Sequence, residues 1–178
     1  MHEDFELRII DLYWITNQAD DPTDLCLHGK IFVRIGNEIV DDGKTKDNSW
    51  TVSTGAYRML KSLYFNHSPS SGEHLLPCCG FSLFIDENNT SELIISDCPF
   101  GLDWAVAHEN NKVTLISAAN TQVVIPLEDY KKIVFDFADE IKAFYDKSSE
   151  KRPETSHEKS AYKLFWKNWE KLRNGTIK

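Results

Sequence analysis

The stretch TQVVIPLEDYKKIVFDFADEIKAFYDK, residues 121–147, decides the fold class. Thr121 to Ile125 is rich in β-branched residues and reads as a strand. At Pro126 the period changes. Tyr130, Ile133, Val134, Phe137, Ala138, Ile141, Phe144 and Tyr145 recur at i, i+3, i+4 and i+7, the apolar stripe of a helix over 126–147. Pro126 suits the first helical position, and Glu128 and Asp129 fall in the first turn, where the helix dipole favours carboxylates. Such a stripe reads as packing on a sheet.

Working outward, Lys147 to Pro153 breaks the helix, and Thr155 or Ser156 caps a third one over 156–173, with Gly175 at its C-terminal end. Its stripe is Tyr162, Phe165, Trp166, Trp169 and Leu172, beside Lys159, Lys163, Lys167 and Lys171. A Trp-rich stripe at helical spacing is read first as core. The alternative is a basic aromatic helix that binds RNA, a membrane surface or an acidic partner. Towards the N-terminus, Phe81–Ile85 pairs with Glu92–Ser96, and Leu102–Ala107 with Val113–Ile116, across polar turns. A first helix runs from Ser53, or its rival cap Thr51, to about Asn66, with Ala56, Met59, Leu60, Leu63 and Tyr64 inward. Phe5 to Ile15 is a strand. Leu25 to Ile35 alternates, with Leu25, Leu27, Gly29, Ile31, Val33 and Ile35 on one face. Gly36-Asn37 turns it into Glu38–Val40. Hairpin-joined strands with helices set apart make a single α+β domain over 1–178, a mostly antiparallel β-sheet packed against about three α-helices.

The chain holds 178 residues, enough to bury a core without staples. Its charge of −8 is unevenly spread. Residues 1–141 carry 10 basic and 23 acidic side chains, and residues 142–178 carry 10 basic and five acidic ones. A body at −13 argues against nucleic-acid binding and for a basic protein partner. No apolar run approaches the roughly 18 residues that span a bilayer, so no membrane role is expected. The start is acidic where a secretory leader is basic, which reads as cytoplasmic. Walker, Rossmann, Gly-x-Ser-x-Gly and His-Glu-x-x-His strings are absent.

The four cysteines are Cys26, Cys78, Cys79 and Cys98. Leu75-Leu76-Pro77-Cys78-Cys79-Gly80 follows His74 and is the most distinctive segment. Cys78, Cys79, Cys98 and His74 are therefore the candidates for a reactive or metal-assisted site. Adjacent cysteines seldom both bind one zinc, so the leading expectation is no metal, with small thiols buried at a tight strand entry bracketed by Pro77 and Gly80. A Cys–His nucleophile would draw on Cys79 or Cys98 with His28, His74 or His108. Nothing in the spacing selects a pair. Asp97 and Asp103 read as turn formers.

Several blocks carry a resemblance. They are His28-Gly29 with Ile31, Val33, Ile35 and Gly36; Trp50-Thr51-Val52-Ser53 opening a helix; Leu76-Pro77-Cys78-Cys79-Gly80; and Cys98 with Gly101, Asp103 and Trp104. Together they resemble small bacterial immunity proteins of polymorphic-toxin and contact-dependent inhibition systems. The resemblance implies a cytoplasmic, non-catalytic protein without a cofactor, which binds one toxin domain and blocks its active site. Many such toxins are nucleases with basic surfaces. The acidic loops are then the expected interface: Asp20, Asp21 and Asp24, then Asp41, Asp42 and Asp47.

Overall fold

A computed structural model describes residues 4–15, 20–45 and 49–176. The α+β reading holds. The elements in chain order are β1 (Phe5–Trp14), β2 (Leu27–Ile35), β3 (Glu38–Asp41), β4 (Trp50–Thr51), α1 (Val52–Ser62), β5 (Leu76–Pro77), β6 (Ser82–Ile85), β7 (Leu93–Ser96), β8 (Gly101–Leu102), β9 (Trp104–Glu109), β10 (Lys112–Ser117), β11 (Gln122–Pro126), α2 (Leu127–Lys147) and α3 (Ser156–Asn174). A one-turn 3-10 helix, Pro69–Ser71, lies between α1 and β5. Every strand pairing among the described residues is antiparallel. The strands form not one sheet but two, β1-β2-β3 with β4 on β2, and β11-β10-β9, plus the two ladders β5-β8 and β6-β7. No helix among the described residues is long and apolar enough to cross a membrane.

Strand β2 alternates as its sequence predicts, with Leu27, Gly29, Ile31, Val33 and Ile35 all buried. Its partner β1 does not alternate throughout. A bulge at Ile10 shifts the register, so odd residues Phe5 and Leu7 and the even residue Trp14 share the buried face. Without the bulge, Trp14 would point away from the core.

Helix α2 buries Tyr130, Val134, Phe137, Ala138, Ile141 and Tyr145 against β1, β10 and β11. Pro126 ends β11 and stands one position before the helix rather than inside it. At the far end the Tyr145 hydroxyl donates to the Leu25 carbonyl at 2.7 Å, fixing the entry to β2. Helix α3 carries a full capping box. The Thr155 hydroxyl accepts from Glu158 N at 3.1 Å, and the Glu158 carboxylate accepts from Thr155 N at 3.0 Å. Gly175 closes it at a φ of +68°. Ala161, Phe165, Trp169 and Leu172 are buried, and Phe165 meets Tyr57 and Phe81 at ring-centroid distances of 5.2 and 5.0 Å. The aromatic stripe is therefore core, and α3 is not a detachable basic arm.

Helix α1 packs against both other helices and against β5. It is buried nearly all round, including Ser53, Thr54 and Arg58, a broader burial than its apolar stripe predicts. Thr51, not Ser53, stands before its first turn. A Cβ on Gly55 would lie 2.4 Å from Leu76 Cδ2, so glycine is what lets β5 approach this helix.

Candidate functional site

The expected acidic interface resolves into side chains that mostly satisfy their own backbone. Asp20 accepts from Ser149 N at 2.5 Å and Lys151 Nζ at 2.8 Å. The Lys151 bond, then the Ser149 amide, hold its carboxyl below the ordinary range. Lys151 is 4% exposed, and its ammonium sits 3.3 Å above the centre of the Trp14 ring. Asp20 therefore clasps the α2–α3 connection. Asp21 accepts from Thr23 N at 2.8 Å, and Asp24 from Ile15 N and Cys26 N, both at 3.0 Å. These are Asx-type turns. Asp41 is buried and corrects the reading most: it accepts from Gly43 N at 2.8 Å and Trp50 Nε1 at 2.6 Å, so it is no docking residue. Asp42 accepts from Lys44 N at 2.9 Å. Asp47 lies outside the described residues.

The cysteines behave differently. The β5-β8 and β6-β7 ladders share one register: Leu76 faces Leu102, Pro77 faces Gly101, and Ser82 faces Ser96. They are two halves of one long hairpin, interrupted where Cys78–Phe81 faces Asp97–Phe100. Pro77 and Pro99 lack the N–H a ladder needs. Gly80 turns at a φ of +99°, where a Cβ would stand 2.6 Å from the Asp97 Cα. Two backbone bonds still bridge the break, Cys78 N to the Phe100 carbonyl at 2.9 Å and Cys98 N to the Cys79 carbonyl at 3.1 Å.

This geometry gathers the sulfurs of Cys78, Cys79 and Cys98 within 4.8 Å of one another. Cys78 and Cys79 Sγ are 3.7 Å apart. Cys79 is exposed and the other two are half-buried, so these are not the core-filling thiols that the sequence suggests. Cys26 is apart from them, its thiol against Thr51 Oγ1 at 3.8 Å and pushed up to about 12 by burial.

His74 does not join the group. Its ring packs over Gly101, where a Cβ would fall 2.7 Å from the His74 Cβ, and its Nδ1 is buried without a hydrogen-bond partner. Nor do the other proposed bases join. The Nδ1 of His28 lies 3.1 Å from the Cys26 carbonyl, and the Nε2 of His108 lies 2.7 Å from the Ser62 carbonyl. Asp97 and Asp103 are not paired carboxylates either. Asp97 holds Arg58 of α1 at 2.5 Å, and Asp103 holds His67 at 2.7 Å and Leu75 N at 3.2 Å. That use of Asp103 explains why the single strand expected over 102–107 divides into β8 and β9.

The three thiols hydrogen-bond to one another, so their acidities are linked. Burial opposes ionisation of Cys98, but hydrogen bonding from Cys78 and from the Phe100 backbone outweighs it and draws the thiol down to about 7. Cys78 is pushed up to about 12, first by its bond to Cys98 and then by burial, and Cys79 is raised first by its own bond to Cys98. Because the Cys98 pKa is lowered, its thiolate fraction rises as pH climbs through about 7. Iodoacetamide should therefore modify Cys98 first, at a rate that increases through that pH, as read by quenched peptide mapping. Faster modification of Cys79, the most exposed thiol, would show that access and not acidity controls reactivity.

Sequence reasoning did not single out the outer face of the long hairpin. Phe84 faces Ile94 across β6 and β7, and both are exposed, at 44% and 50%. Phe100, beyond the break, is 72% exposed. Asp86, Glu87 and Glu92 surround the hairpin tip. The alternation of Leu83 and Ile95 inward against α3 with Phe84 and Ile94 outward was the available signal. Comparisons with known protein families, curated proteins and solved structures found no match.

Proposed function

We propose that this chain is an acidic, cytoplasmic binding protein of the immunity type, which neutralises a basic toxin domain, such as a nuclease, by covering its active site. The observation that carries the reading is the outer hairpin face. It presents Phe84 and Ile94 to solvent beside an acidic tip, with Phe100 exposed beyond the break, on a body with an excess of carboxylates. Stable interfaces combine apolar anchors with a polar rim, and rim charges chiefly speed association. This surface replaces the 20–24 and 41–42 loops as the contact region, because those aspartates are committed to local turns and to Lys151 and Trp50. The mechanism is occlusion: the hairpin inserts apolar side chains, while the carboxylates compete for the cationic groups that would hold substrate.

The test is affinity capture from lysate of the native source at low and high salt, with mass spectrometry of retained proteins. The expected result is one stoichiometric basic enzyme, retained less at high salt and inhibited when bound. A Phe84→Ser/Ile94→Ser protein should bind it about tenfold more weakly or worse while keeping its circular dichroism spectrum. Retention of no basic protein would overturn the reading, and undiminished binding by the double variant would overturn the placement.

A further inference from the structure

We propose that Cys78, Cys79 and Cys98 form a three-thiolate site for a soft metal ion, zinc(II) or copper(I), at the break in the long hairpin. The inference rests on the arrangement of the sulfurs and is independent of the binding role proposed above.

Spacing is the first argument. A metal–thiolate bond of about 2.3 Å sets two sulfurs about 3.8 Å apart in a tetrahedral shell. Cys78 and Cys79 Sγ already stand 3.7 Å apart, and the widest separation in the trio does not exceed 4.8 Å. Closing the trio onto one ion thus needs movements of about 1 Å, within rotamer adjustment.

The scaffold is the second argument. Adjacent cysteines in a regular strand point to opposite faces and cannot chelate one ion. Here the strand is interrupted at that pair, by Pro77 before it and Gly80 after it, and the Sγ atoms converge. The third ligand comes from the facing arm of the hairpin and is fixed by the Cys98 N to Cys79 carbonyl bond. One residue earlier, Asp97 is locked to buried Arg58, which anchors this side of the site to α1.

Donor chemistry is the third argument. Among the described residues the group consists of sulfurs alone, with no carboxylate or imidazole. Thiolates select zinc and copper(I) over magnesium, calcium or manganese. Because Cys79 is exposed, a zinc ion here would complete its shell with water, whereas copper(I) is satisfied by three sulfurs. In either case three metal–sulfur bonds form, the S–H bonds still present break, and their protons pass to water with no change of oxidation state.

The test uses the reduced full-length protein under oxygen-free conditions. Cobalt(II), a spectroscopic stand-in for zinc, should produce an intense sulfur-to-metal charge-transfer band that saturates at one equivalent and is displaced by zinc(II). Copper(I) is titrated in parallel against a chromophoric chelator, and the tighter of the two ions identifies the occupant. Cys79→Ser and Cys98→Ser should each weaken binding by more than the roughly 10- to 100-fold that outer-shell changes cost. Cys26→Ser should bind as the parent does. Circular dichroism verifies that each variant is folded, and exposed Cys79 is the substitution least able to disturb packing. Absence of a thiolate band with cobalt together with no copper(I) retention overturns the proposal. So does an unchanged affinity in folded Cys98→Ser.

Discussion

Replacing Phe165 with alanine is expected to lower the unfolding free energy by about 3–5 kcal/mol, the cost of deleting a buried aromatic side chain. Phe165 is the centre of the ring cluster. It stacks on Tyr57 of α1, meets Phe81 edge-on beside β6, and touches Trp166 and Trp169 of its own helix at 5.1 and 5.7 Å between ring centres. Three elements distant in sequence share this one side chain, so the cavity cannot close by moving one of them. Removal of residues 154–178 should go further and abolish the cooperative transition, since it uncovers α1 and the inner face of the hairpin together. Urea denaturation followed by far-ultraviolet circular dichroism measures both. A Phe165→Ala loss below about 1 kcal/mol, or a truncated body that still unfolds cooperatively, would return α3 to the status of an attached arm.

Asp97→Ala should cost about 3–5 kcal/mol, for an electrostatic reason. Arg58 is 6% exposed and Asp97 11%, and the pair is closed at 2.5 Å. The same guanidinium donates to the His74 carbonyl at 2.7 Å, while Glu73, at 4.0 Å, is largely exposed and a weak substitute. Deleting the carboxylate leaves a buried cation without its counter-charge. Removing both charges, in Arg58→Met/Asp97→Leu, should recover a large share of the loss, because the desolvation penalty disappears with the pair. Denaturant midpoints of the two single variants and the double variant form the required cycle. A double variant as unstable as the sum of the singles would show that the two side chains act independently.

These two results also mark how much was readable in the sequence. Helix α2 was legible from its stripe and first-turn carboxylates, and α3 from its stripe, its Thr155 or Ser156 cap and its terminal glycine. Helix α1 was legible as a helix but not as a buried one: Ser53, Thr54 and Arg58 look like a polar face until Asp97, 39 residues away, is known to meet Arg58. The ladders β4, β5 and β8 have two residues each, too few for alternation to register. Among the acidic loops, the burial of Asp41 was not legible, for a physical reason. Asp20, Asp21, Asp24 and Asp42 stay at the surface with their carboxylates turned onto nearby amides, and only Asp41 is buried. Cys78, Cys79 and Cys98 were recognisable as unusual, but only the register of the hairpin brings Cys98 to the other two. His74 was adjacent in sequence and is absent from the cluster because the Gly101 pairing takes its ring elsewhere.

The unbroken register of the interrupted hairpin has a kinetic consequence. Once the Asp86–Glu92 turn closes, Leu93 finds Ile85 and the chain zips outward, so Cys98 reaches Cys79 by closing a loop of only about 20 residues. Contacts of such short range are expected to form before distant ones such as the docking of Phe165 of α3 on Phe81. The hairpin register is thus set within residues 76–102, while the burial of its inner face waits on α3, which follows much later in the sequence.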